Sequence, residues 1–176
     1  AEAAVRIQNR QYAKEALIVC DFTWPILYSP TTPDHGGDPS LESHLTMAIT
    51  GIKIDEPGLY KLGERLFNLQ RAILVREGQN GREHDTLAEF CFTAPLKGDY
   101  GNPECLVPGK DGKPFSRKGM VVERDAFEKM KDEFYSIRDW DVATGLQTKT
   151  QLDALGLTDI AEAMAGEGLL AELNRY

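Results

Sequence analysis

The chain is poor in the residues that most often advertise chemistry. It holds three histidines and three cysteines in 176 residues. Cys20, Cys91 and Cys105 are an odd number and lie far apart. That argues against a disulfide framework and favours a reducing compartment such as the cytoplasm. There is no P-loop, GxSxG elbow, HExxH pair or dinucleotide-binding glycine fingerprint. No apolar run approaches the roughly 18–20 residues of a membrane span. There is no secretory leader, although a chain opening AEAAV without Met makes that a weak observation. Positive charge is scarce: 20 Lys and Arg stand against 28 Asp and Glu, a formal −8. Phosphate binding draws on clustered cations, so a general nucleic-acid role is not expected. Sustained two-residue alternation is missing as well, which leaves little for a sheet.

What is present reads as a folded helical chain. With 41% hydrophobic and 27% charged residues the composition is globular. The length suits a single domain over 1–176 with a sizeable core. The strongest pattern is LYKLGERLFNLQRAILVREG, Leu59 to Gly78. Leu59, Leu62, Leu66, Leu69 and Ile73 fall on one helical face, widened by Phe67 and Leu74. Glu64, Arg65, Gln70, Arg71 and Arg76 lie mostly off it. Asp55 and Pro57 suit the cap and first turn, and Gly78 the stop, so this is expected to be a central helix.

Residues 2–18 read as a helix burying Val5, Ile7, Ala13 and Leu17, with Arg6, Arg10 and Lys14 turned away. YSPTTPDHGGDP, residues 28–39, reads as a loop. Asp38-Pro39 then caps a helix from Ser40 to Thr50, with Leu41, Leu45, Ala48 and Ile49 inward and Gly51 as its stop. Residues 93–118 are rich in Gly, Pro and Lys. They are expected to form a long surface excursion, with a hairpin around Asp111-Gly112. Phe127, Met130, Phe134 and Ile137 mark another helix from Glu123. Thr148 caps a short helix stopped by Gly156, and Thr158 opens a last one, broken at Gly166 and Gly168. The fold class is therefore mainly α: an irregular helical domain with long loops.

Few residues stand out as site candidates. Cys20 lies at the end of an apolar run, where a cysteine is either a small buried hydrophobe or a metal ligand whose companions come from elsewhere. Cys91 and Cys105 could join it only through the tertiary fold. His35 sits on a Gly-rich loop, as an exposed ring or a pocket residue. Glu15 borders the apolar run. Arg71, Arg76 and Arg82 suit either surface ion pairs or an anion site.

Taken together, three separated blocks carry more. GERLFNLQRAILVREG (63–78) with GREHDTL (81–87) resembles the C-terminal region of the aldehyde:ferredoxin oxidoreductase family, tungsten or molybdenum bis-pterin enzymes with a 4Fe–4S cluster. KDEFYSIRDWDVATGLQTKTQLDALGL (131–157) is similar to that family's closing segment. EALIVCDF (15–22) resembles the second of its two DxxGLC-type motifs. The blocks run in the family's order from about residue 5 to about residue 160.

The resemblance implies that Cys20 is one of four thiolates of the cluster, the other three lying in sequence this chain lacks. It implies that Glu15, where Asp is usual, accepts hydrogen bonds from a pterin, and that Val19, where Leu is usual, lies beside it. Ile18 stands at a family glycine that lets the backbone approach the pterin, and Asp139 at one in a turn. It implies the last helical domain of the family fold, closing a cofactor cavity and substrate channel, inactive in isolation. His35 is then a candidate channel residue. The intact enzyme would oxidise an aldehyde to a carboxylic acid anaerobically in the cytoplasm. Its partners would be ferredoxin or another electron-carrier protein and its own N-terminal domains, with a homo-oligomer left open. The alternative is a free-standing helical protein-interaction module without redox activity, to which the acidic charge and the 93–118 loop are suited.

Overall fold

A computed structural model describes residues 1–19, 33–38, 40–79, 81–98 and 101–171. The described residues form helices α1 (Glu2–Ala16), α2 (Leu41–Thr50), α3 (Glu56–Arg76), α4 (Phe90–Thr93), α5 (Arg124–Ile137), α6 (Lys149–Ala154) and α7 (Thr158–Gly166). A 3₁₀ turn, Arg82–His84, and two short strands, β1 (Leu106–Pro108) and β2 (Pro114–Ser116), complete them.

The organising element is α3. Asp55, with extended backbone, accepts a hydrogen bond from the Gly58 N–H at 2.9 Å, and Pro57 occupies the first turn. This leaves few unsatisfied donors at the helix start. One flank of α3 meets α1 at Gly63. A Cβ on Gly63 would lie 1.8 Å from the Asn9 carbonyl oxygen, so only glycine lets the two backbones come this close. The other flank meets the C-terminal helices. Ala72 and Val75 pack with Met164, while Leu152, Leu155, Leu157 and Ala161 form the neighbouring cluster that Leu69 joins. Helix α5 packs on α1. An aromatic group joins them: Phe67 of α3 lies edge-on to Tyr12 of α1 and stacked on Trp140 just beyond α5.

Helix positions follow the sequence pattern well, but the buried faces are rotated from it. In α3 Ile73 is exposed, whereas Asn68 and Arg71 are buried with Leu59, Ala72 and Val75. In α1 Ile7 is exposed and Lys14 buried. In α2, which starts at Leu41, one residue beyond Ser40, Ala48 and Ile49 are exposed while Glu42 and Ser43 are buried. In α5 Ile137 is exposed and Lys131 and Tyr135 buried. The common cause is that these polar groups find partners. Arg10 reaches Glu42 at 3.3 Å, and the Lys131 ammonium reaches Glu128 at 2.9 Å and the Arg82 carbonyl at 3.3 Å. A partnered polar group can take an interior place that an apolar count assigns elsewhere.

Helix ends share one device. In α1, α3, α5, α6 and α7 the residue after the cap has positive φ and closes a paired backbone motif. In α3, for instance, Gly78 N–H bonds Val75 O at 3.0 Å and Gln79 N–H bonds Leu74 O at 2.9 Å. Such closure favours glycine at the left-handed position. Gly78, Gly156 and Gly168 supply it in α3, α6 and α7, but α1 uses Ile18 (φ 58°) and α5 uses Asp139 (φ 54°).

In the 93–118 segment the described residues lie largely at the surface. β1 and β2 pair antiparallel, Leu106 opposite Ser116, around Asp111 and Gly112 (φ 75°). Among the described residues 93–120 Cys105 alone is buried.

Candidate functional site

The Glu15–Cys20 motif sits where α1 ends. Ile18 N–H donates to Glu15 O at 3.0 Å and Val19 N–H to Lys14 O at 3.3 Å, so the chain turns sharply there. This turn leaves the Glu15 carboxylate exposed at the rim, receiving one hydrogen bond from Gln11 Nε2 at 2.8 Å. Ile18 projects outward with 94% of its surface exposed, and Val19 is half-buried. The structure therefore brings Glu15 and Val19 to one turn. Cys20 falls outside the described residues. His35 is exposed, at φ 53°, beside a tight turn in which Asp34 Oδ1 accepts from Gly36 N–H at 3.1 Å. Among the described residues no three His, Cys, Asp or Glu side chains gather as a metal site.

The other sequence blocks converge on a buried polar network. Arg71 forms two bonds to the Asp85 carboxylate, 2.6 and 2.7 Å, and a third to Gly145 O at 3.0 Å. Tyr135 donates to the same carboxylate at 2.6 Å, and the Arg71 guanidinium lies 5.0 Å over the Trp140 ring. Burial, then the bond to Asp85, raises the Tyr135 phenol well above its ordinary value. Asn68 Oδ1 accepts from Trp140 Nε1 at 3.0 Å and from Gln147 Nε2 at 2.8 Å. Arg82 ties the 3₁₀ turn to α5 through Glu128 and Asp132. Arg138, fully buried, donates to Asn9 Oδ1 at 2.7 Å and Gln8 Oε1 at 3.0 Å beneath the Phe67 ring, and burial lowers its guanidinium to about 10.

These arginines hold the domain together. Arg71 and Arg82 are each committed to carboxylates of this chain. Helical periodicity placed Arg71 mostly off the apolar face, and Arg82 fell in a polar turn that periodicity does not address. The available signal was Asp85, Tyr135 and Trp140 recurring in the separate blocks that pair with them. A cavity of about 370 Å³ borders the network, walled by Tyr12, Phe67, Phe134 and Trp140.

The chain is similar in fold to the active-site complex BamBC of benzoyl coenzyme A reductase, solved with 1,5-dienoyl-CoA. The match has a TM-score of 0.52 at 21% identity over 76% of this chain, and spans 16% of that one. Residues 1–157 match the family model for aldehyde ferredoxin oxidoreductase, domains 2 and 3. The chain belongs to the aldehyde ferredoxin oxidoreductase family, and its mainly helical architecture is that of the family's C-terminal domain.

Proposed function

We propose that residues 1–176 are one helical domain, the C-terminal part of a tungsten or molybdenum bis-pterin enzyme that oxidises aldehydes to carboxylic acids. The observation that carries this reading is the turn closing α1, which presents the Glu15 carboxylate to solvent immediately before Val19 and Cys20. An exposed carboxylate with one partner has lone pairs left for ring N–H donors, so the residues present fit a pterin edge. Glu15 accepts from the pterin, Val19 supplies an apolar wall and Cys20 supplies a thiolate to the 4Fe–4S cluster. The remaining thiolates come from polypeptide outside this chain. His35 lines the substrate channel.

The bound cofactors would supply the redox chemistry: an aldehyde and water become a carboxylic acid, two protons and two electrons, the electrons leaving singly for ferredoxin or another carrier. The domain's own part is to orient the pterin, exclude water from the cluster thiolate and close the channel. Alone it would be inactive, because the bulk of both cofactor sites lies in other domains. The intact enzyme works in the cytoplasm under anaerobic conditions.

Elemental analysis of the intact gene product tests the reading. It should contain tungsten or molybdenum together with iron, and Cys20→Ser should lose most of the iron and the broad cluster absorbance. Absence of iron and of both heavier metals overturns it. His35→Ala should leave metal content unchanged while shifting KM across a series of aldehydes by about ten-fold; unaltered kinetics across that series removes His35 from the channel.

A further inference from the structure

The 93–118 excursion and the residues beside it enclose a concave surface of about 350 Å³ that the redox reading leaves unused. Its walls are Leu96, Val107, Met120 and Val122, with Cys91 among them and Arg117 at the edge. The groove is held open by backbone. Leu96 N–H bonds Met120 O at 2.9 Å, Gly119 N–H bonds Leu96 O at 2.8 Å, Val122 N–H bonds Cys91 O at 2.9 Å, and Arg117 N–H bonds Cys105 O at 2.9 Å. Cys105, buried and at φ 52°, is the anchor that fixes the near end of the hairpin. A groove built this way loses little entropy when filled.

Charge selects the occupant. Among the described residues no carboxylate lines the groove. Arg117 lines it and Lys97 lies between the lining residues Leu96 and Gly98, both exposed, in a chain whose net charge is −8. Of the described acidic residues nearby, Glu104 pairs with Lys118 at 3.0 Å, and Asp111 accepts from Lys113 N–H at 3.2 Å. Asn102 is committed to Leu106 through both amide atoms, which leaves little to orient a small polar ligand. The apolar surface is recessed, so it suits an inserted side chain better than a lipid bilayer. We propose that this face docks an acidic protein segment, seating one of its apolar side chains in the groove while flanking carboxylates meet Arg117 and Lys97.

The test uses the full chain and a fluorescein-labelled peptide in which a pair of phenylalanines lies between glutamates. A matched peptide with lysines for glutamates and phosphatidylserine vesicles serve as comparison arms. The glutamate peptide should bind saturably and more weakly as salt rises, with the lysine peptide about ten-fold weaker or worse. Arg117→Glu, an exposed change, and Val107→Glu, within the groove, should each weaken binding about ten-fold with the circular dichroism spectrum retained. Bound peptide should also slow modification of Cys91 by a thiol reagent, read by peptide mapping. Any of four outcomes overturns the proposal: no binding, equal binding of the lysine peptide, binding unchanged in Arg117→Glu, or preference for the vesicles.

Discussion

At Ile18 a β-branched side chain occupies left-handed backbone and lies 94% exposed. That conformation costs an L-residue about 1–2 kcal/mol, and most where Cβ is branched. The position is a helix stop, which gives the family glycine a backbone reason in its own right. Asp139 solves the same problem in α5 more easily, because a short polar side chain tolerates this region. Ile18→Gly should therefore raise stability by about 1 kcal/mol after glycine's own entropy cost, or roughly 2–4 °C in Tm. A lower Tm would show that Ile18 contacts outweigh its strain.

Tyr135 adds a pH dependence at the same scale. Its folded phenol is raised above the ordinary 10 by burial first and by Asp85 second. A raised folded value contributes stability that is present below pH 10 and lost as pH climbs past it, because the unfolded chain ionises first. Tyr135→Phe should cost about 1 kcal/mol near neutrality through the lost bond to Asp85. It should also flatten the alkaline fall in Tm. Parallel alkaline limbs for the two proteins would refute this assignment.

At the scale of elements, the crossing of α1 and α3 depends on one missing methyl group. The Asn9 carbonyl fills the space a Gly63 side chain would need, and α1 carries the Glu15–Val19 turn at its far end. Gly63→Ala must push the helices apart, at about 3 kcal/mol or more, since backbone cannot yield as a side-chain tip can. Chemical denaturation should show that loss, together with greater proteolysis near the end of α1. Wild-type stability would mean that the helices pack less closely than described.

Across the whole molecule, the three sequence blocks divide by task. The Arg71, Asp85, Tyr135 and Asn68, Trp140, Gln147 contacts join segments as much as 79 residues apart and fix how α3 meets α5 and the chain beyond it. The motif at the end of α1 is carried on that frame. The same division explains the iron prediction: Cys20→Ser should remove the cluster while leaving the fold intact, because the frame lies elsewhere.

Local chemistry alone located nearly every helix, the stops at Gly51, Gly78, Gly156 and Gly168, the Asp55 and Thr148 caps and the hairpin at Asp111-Gly112. Those depend on interactions a few residues long, which a chain carries in its own order. Family resemblance, also written in the chain, singled out Glu15, Val19 and Cys20. Only the tertiary structure decided that Arg71, Lys14, Glu42 and Lys131 go inside while Ile7, Ile49, Ile73 and Ile137 stay out. Burial of a charge depends on a partner brought from a distant segment, and hydrophobic periodicity has no term for a partner it cannot see. Gly63 was visible as a letter, but its necessity came from the Asn9 carbonyl lying where its side chain would be.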